Sequence, residues 1–377
     1  MPQVDAAWRT LRQLRSELPQ TARGSLKRRN TFNASLEQAE QYFRASPFVG
    51  YETRPVLLFY GLSQLGRALA AAAARAPGDS DWELSGHGIR VPGISQAASS
   101  AQIAPMLVRD QGKGSFTQLA HLLRSPTIPT GVPLADIWNA IPEARDFPLG
   151  EPPHYHPLQV GEHIDPRPSR MGDWGAPQAV FVSGIPLNRT PNVTDFAQRY
   201  PELWPDGKGW PADAIGPAGE VVIERLSGHW SGRRSPLIGT NYLGQRLAFP
   251  VVPGSQWPLH AILLWWATLF SLSMLARYEP AAWTKIIDVD RSREAVPIEH
   301  LLNSAHNSIP GLALEAIAQI SMTDEEHEKR RLELQQPTEA RRPSTLRSLR
   351  DKAGEAVREM VAQRREKKDE EVDQGPR

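Results

Sequence analysis

Apolar positions along this chain come mostly in short, interrupted sets within a sequence that is polar on average, and one stretch breaks the pattern. From Trp257 to Tyr278, WPLHAILLWWATLFSLSMLARY, apolar side chains fall all round a helical wheel instead of along one stripe. Such a helix is roughly 33 Å long and needs burial on every side, in a membrane or at the centre of a large domain. His260, Thr268, Ser271 and Ser273 inside the run, and the absence of a basic cluster before it, favour the domain centre. The helix is expected to stop at Glu279 because Pro280 disfavours helical dihedrals there. Arg277 stands where a cation complements the carbonyl end, and Pro280 opens a short further helix, AAWTKII.

The N-terminal part carries helical periodicity of the ordinary amphipathic kind. Val4 to Leu18 reads as a first helix with Ala7, Leu11 and Leu14 on one face, followed by the basic connector RGSLKRRN. Ser35 with Gln38 has the form of a capping box and predicts a second helix to about Ala45. Arg54-Pro55 starts a third, with Leu58, Leu62, Leu65 and Leu69 as its apolar stripe and Tyr60, Gln64 and Arg67 together on the opposite face. From about residue 90 to 255 proline and glycine are frequent. Three runs there, QAVFVSGIPL, GEVVIERLSG and RLAFPVVP, are of β type, and HYHPLQVGEHIDPRPSRMGDW reads as a surface excursion. Helical pattern returns with the central helix, then AVPIEHLLNSAHN, then a separate helix opened by Pro310. After Met322 the chain becomes a run of mixed charge in which Leu346, Leu349, Ala353, Ala356 and Met360 approximate a helical seam.

These patterns predict an α+β protein with four parts. Residues 1–89 and 256–322 form one helical bundle around the buried helix 257–278; residues 90–255 are a β-rich, loop-rich insertion; residues 323–377 are a charged tail, disordered or helical. At 377 residues the chain affords a sizeable core. It has no cysteine, which excludes disulfides, zinc–thiolate sites, iron–sulfur clusters and thiol nucleophiles. The N-terminal segment has no apolar signal region, so a cytoplasmic location is the expectation, with no membrane association. Net charge is +1, but the first 76 residues hold about twice as many bases as acids, a hint of a polyanionic partner such as RNA or a nucleotide.

Motifs for common chemistries fail on inspection. Gly61-Leu62-Ser63-Gln64-Leu65-Gly66 is one residue too long for a nucleophile elbow and lies within a helix. Gly112-Lys113-Gly114-Ser115 lacks the spacing of a P-loop, so no cofactor is expected from these motifs. His154, His156 and His163 could face one way on a strand, yet their proline-rich setting reads as surface and no metal is assigned. Metal-free ribonuclease chemistry needs an arginine over the developing charge and a histidine to carry protons. Arg293 and His300 have such a spacing, interrupted by Pro297, and His87 is a second proton carrier to consider. Tyr60, Gln64 and Arg67 combine an aromatic face with a cation, as stacking and phosphate contact require, and a buried structural arginine is the competing reading.

The runs RPVLLFYGLSQLGRAL (54–69), GHGI (86–89), MLARYEPAAW (274–283) and VPIEHLL (296–302) resemble, in that order, the YaaC-like family of bacterial proteins, over about residues 4–320. That resemblance implies a soluble helical core and no defined activity. The two early helices followed by GHGI also look similar to HEPN-type helical domains, which often act on RNA. Two functions follow as expectations: nucleic-acid or nucleotide binding on a HEPN-like core, with ribonuclease activity as an extension, or a non-catalytic scaffold or regulatory subunit working through its tail on a protein partner.

Overall fold

The computed structural model describes residues 2–163 apart from 77 and 79, then 179–185, 193–204, 219, 221–224, 239–327 and 329. The elements in chain order are α1 (Pro2–Gln13), α2 (Gln20–Arg23), α3 (Leu26–Ala45), α4 (Arg54–Ala72), β1 (Ile89–Arg90), α5 (Ile94–Ser100), β2 (Leu107–Asp110), α6 (Ser115–Leu122), β3 (Val132–Pro133) and α7 (Leu134–Asn139). The chain continues through β4 (Leu158–His163), β5 (Ala179–Ser183), α8 (Val193–Gln198), β6 (Val221–Glu224), β7 (Thr240–Tyr242), β8 (Gln245–Ala248), α9 (Ala261–Tyr278), α10 (Pro280–Ile286) and α11 (Ala295–Ile320). The fold class is α+β.

Helix α9 is the axis of the larger core, buried from Ile262 to Ser273 on every side. It is long and apolar enough to cross a membrane, and here it is wrapped by protein. His260 caps its start, its Nδ1 accepting from the Ile262 amide at 3.2 Å. Two hydroxyls within it turn back on the helix: Ser271 donates to the Ala267 carbonyl and Ser273 to the Phe270 carbonyl, both at 2.8 Å, so neither is buried unsatisfied. Helix α4 lies against α9 on one side and α3 on the other, and its two glycines set both distances. A Cβ at Gly66 would lie 2.6 Å from the Trp266 ring, and one at Gly61 would lie 2.8 Å from the Phe43 ring. The two glycines are therefore packing positions on a helix, as their place outside a strand-to-helix turn foretold.

Several elements differ from the sequence expectation. The basic connector is the first turn of α3, capped by Ser25, whose side chain accepts from the Arg28 amide; Ser35 sits mid-helix and buried instead of capping. Arg28 explains the change. Its guanidinium is buried and donates to the carbonyls of Ala71, Ala73, Ala76 and Gly78, closing the C-terminal end of α4, and it stands over the Trp82 ring. Helix α11 runs unbroken through Pro310, where two helices were expected. Its buried face, including Ile309, Leu312, Ala313 and Ala316, packs on α1, α4 and α9, and that packing outweighs one lost backbone bond.

The region from 90 onward divides differently from its composition. Residues 89–149 hold three short helices and the antiparallel sheet β1-β2-β3, and their apolar side chains join the same core as α4 and α9. The five-stranded antiparallel sheet, in order β6-β5-β4-β8-β7, begins at Leu158 and has its own core of Leu158, Val182, Phe196, Tyr200 and Trp204 among others. The expected surface excursion contains β4, which pairs with β5 on one side and β8 on the other; residues 164–174 of it lie outside the described residues, as does most of the charged tail. The edge strand β7 is tied into the larger core, to which Tyr242 belongs, by a chain of polar groups. The Trp265 indole donates to the Tyr242 hydroxyl at 3.2 Å, that hydroxyl donates to the Glu143 carboxylate at 2.6 Å, and Ser308 donates to the same carboxylate. Burial and Glu143 together push the Tyr242 phenol up from its ordinary value, which keeps it a donor.

Candidate functional site

Residues from separate motifs meet beside the C-terminal end of α9. Tyr60 comes from α4, where Leu58, Leu62 and Leu65 turn into the core and leave Tyr60 and Gln64 half-buried and Arg67 exposed. The Tyr60 ring stacks on Tyr42 of α3, with centroids 6.0 Å apart and planes at 25°. Arg277 arrives from the last turn of α9. Its Nε donates to the Ser273 carbonyl at 3.2 Å, which is the helix-end role expected of it, and its Nη1 donates to the Tyr60 hydroxyl at 3.2 Å. The guanidinium also lies over the Tyr60 and Tyr278 rings, 5.7 and 5.1 Å from their centroids. It forms no ion pair among the described residues.

His87 is placed by the GHGI turn. Gly86 and Gly88 both take positive φ, and a Cβ on Gly88 would lie 2.7 Å from the Gly114 backbone, so the turn is pressed against the GKGS segment at the start of α6. The Gly86 and His87 carbonyls accept the amides of Ser115 and Phe116, using up donors that a helix start otherwise leaves open. The imidazole then lies against Phe59 and Phe270, at 5.9 and 5.3 Å between centroids. Burial against those rings, and secondly the Arg277 charge, lower its proton affinity below the ordinary histidine value. At neutral pH the face therefore presents a neutral imidazole, a cation without a counter-charge and a tyrosine pair.

The other residues singled out from the sequence lie elsewhere. His300 sits half-buried on α11, its Nε2 donating to the Glu143 carbonyl at 2.9 Å and its ring 4.5 Å from Phe147. Arg293 is exposed in the turn before α11, lining a cavity with Lys285 and Glu294, and makes no hydrogen bond or ion pair among the described residues. The pair shares no partner with each other or with His87. His154 and His156 each bond a backbone carbonyl, of Gly150 and Asn139, and no cluster of metal-ligating side chains occurs among the described residues. Gln64 and Arg67 carry no hydrogen bond among the described residues. Sequence reasoning assigned Arg277 to helix capping alone; the tyrosine beside it, and a motif run that continues through Tyr278 into EPAAW, was the available signal that it does more.

Fold and site thus define an α+β protein with a helical core and an aromatic, basic face where α3, α4, α9 and the GHGI turn converge. The chain belongs to the YaaC-like family: the family model described as YaaC-like Protein matches residues 5–317. No curated protein and no solved structure matches it.

Proposed function

We propose that the face built by Tyr42, Tyr60, Gln64, Arg67, His87 and Arg277 binds the base-plus-phosphate unit of single-stranded RNA or of a free nucleotide. The observation that carries this reading is Arg277, held over Tyr60, itself stacked on Tyr42, with no carboxylate partner among the described residues. Nucleobases stack on aromatic rings and guanidinium planes, and phosphates seek unpaired arginines. Arg67, two turns along α4 from Tyr60, supplies a second cation for the next phosphate. A neutral His87 beside Arg277 also has the parts for metal-free phosphodiester cleavage, with the imidazole as base and the guanidinium over the developing charge.

The test is fluorescence anisotropy of the full-length protein with a mixed-sequence single-stranded RNA and with adenosine monophosphate as competitor, at about 50 and 200 mM salt. Two phosphate contacts predict a slope of about −1.4 in log affinity against log salt, reduced by about 0.7 in Arg67→Ala. Tyr60→Leu removes a stacking partner worth about 1–3 kcal/mol. Equal binding by all three proteins, or none at the lower salt, refutes the reading. Competition by the mononucleotide at stoichiometric occupancy identifies a nucleotide site instead of a strand site. Cleavage without metal that disappears in His87→Ala extends the activity to catalysis.

A further inference from the structure

A second site, independent of the face above, lies where α1 crosses α11. A cavity of about 370 Å³, within the size range of small-molecule sites, is lined by Asp5 of α1, Ser46 after α3, Arg54 at the start of α4, and Asn303, His306 and Asn307 of α11. Helical spacing puts the α11 residues there: Asn303 and Asn307 are one turn apart and His306 lies between them on the same face.

The polar groups are fixed and partly unspent. Arg54 stacks on the Tyr51 ring at 4.3 Å and donates to the Asn303 side chain at 2.6 Å and the Val49 carbonyl at 2.9 Å. It forms no ion pair among the described residues, and its buried Nε has no partner. His306 Nδ1 lies 3.0 Å from the Phe43 carbonyl, which can only accept, so Nδ1 carries the proton and Nε2 is left as an acceptor. Ser46, whose hydroxyl donates to that same carbonyl at 2.9 Å, holds this arrangement in place. Pro310 has no N–H to return to the His306 carbonyl, which loosens a further acceptor on this stretch of helix. Asn307 spends its amide nitrogen on the Asn303 carbonyl at 3.1 Å and keeps its side-chain oxygen. Asp5, on the α1 side, reaches Arg44 only at 4.0 Å.

One cation on one side, Arg54, and an imidazole nitrogen, an amide oxygen and a carboxylate as acceptors on the other, is a divided lining. It asks for a molecule with a negative end and hydrogen-bond donors a few bonds away. We infer that this cavity binds a small hydroxy- or amino-carboxylate, its carboxylate on Arg54 and its hydroxyl or ammonium donors on His306, Asn307 and Asp5. Arg54 is the residue to expect for the anionic end because it is the arginine of this lining and has no carboxylate partner among the described residues.

The experiment is isothermal titration of the full-length protein with two-to-six-carbon hydroxy acids and amino acids, each up to roughly 10 mM, with inorganic phosphate and acetate as controls. The expected result is saturable one-site binding by at least one hydroxy- or amino-carboxylate and none by acetate, which has the anion without the donors. Asn307→Leu, which projects an apolar branch into the cavity and breaks no bond between helices, should weaken that binding at least tenfold with thermal midpoint unchanged. Arg54→Lys should weaken it similarly, and His306→Gln less. Saturation by acetate or phosphate as tight as by any panel member overturns the ligand class. Absence of binding across the panel, or full binding by Asn307→Leu, overturns the site. RNA binding by the same variants is expected to be unchanged, which separates failure here from failure at the Tyr60 face.

Discussion

Gly66 offers the sharpest test of how the core is assembled. In an ordinary helix interior, Gly→Ala stabilises by about 0.5–1 kcal/mol, because alanine loses less backbone freedom on folding. Here the new methyl would stand 2.6 Å from Trp266 Cζ3, 3.0 Å from its Cη2 and 2.9 Å from Leu119 Cδ1. Trp266 has no solvent exposure and is held edge-on by Phe59 at 5.8 Å, so the indole has nowhere to retreat. Overpacking of this kind costs about 1–3 kcal/mol, and with contacts on two sides the upper end applies. The net expectation is a loss of about 2–2.5 kcal/mol, read as a lower urea midpoint at unchanged slope. Trp266→Phe removes the outer ring atoms and opens a gap that the methyl introduced by Gly66→Ala partly fills. The double variant should therefore be more stable than the sum of the single changes by about 0.5 kcal/mol or more, the coupling seen between touching residues. A Gly66→Ala protein more stable than the parent, or strict additivity in the cycle, refutes the close crossing of α4 on α9.

Acid should weaken the fold through two histidines. Burial holds His260 and His156 down to about 4, against 6.5 for a free imidazole. Because the folded value is the lower one, the unfolded chain binds more protons between those limits, and stability present above pH 6.5 is lost as pH falls toward 4. Each contributes about 1.4 kcal/mol per pH unit, up to about 3 kcal/mol. His260→Gln should flatten the profile of urea midpoint against pH in that window, and an unchanged slope would contradict it. Arg28→Met keeps the bulk of the side chain but strands the carbonyls at the end of α4; a loss of about 2–4 kcal/mol is expected in chemical denaturation, and a change under about 0.5 kcal/mol would show that water replaces the guanidinium.

Much of the architecture was readable because some signals do not depend on tertiary context. The all-round apolarity of residues 261–278 allows a core helix and little else once the membrane is set aside, and Arg54-Pro55 fits the first turn of a helix whatever surrounds it. The readings that failed all involve local signals overruled by contacts distant in sequence. Ser35 matches a capping pattern, but Ser25 caps instead, since only a helix starting there puts Arg28 at the end of α4. Pro310 looks like a helix start, but the apolar face on both sides of it is continuous. β4 was hidden because its six residues, LQVGEH, place a glycine and three charged or polar groups in a strand whose stability comes from neighbours on both edges. The candidate site was half visible. Tyr60, Gln64, Arg67 and His87 stand out as motif residues, yet the joining of Tyr60 to His87 depends on Arg277, and a cation in a last helical turn already has a sufficient local explanation.

The hydrogen-bonded chain from Trp265 through Tyr242 to Glu143 and Ser308 bears on modularity. Its four members come from α9, β7, the turn Pro142–Ala144 after α7, and α11, so the five-stranded sheet is not an insert that could be excised and the ends rejoined. Removing it would withdraw the Tyr242 hydroxyl from between an indole and a carboxylate and leave both without that partner beneath the surface. Loops of this protein can vary in length at low cost, but the lobe that carries Tyr242 has been incorporated into the folding unit, and gene-level truncation at its borders would yield two fragments, neither of which is a smaller version of the whole.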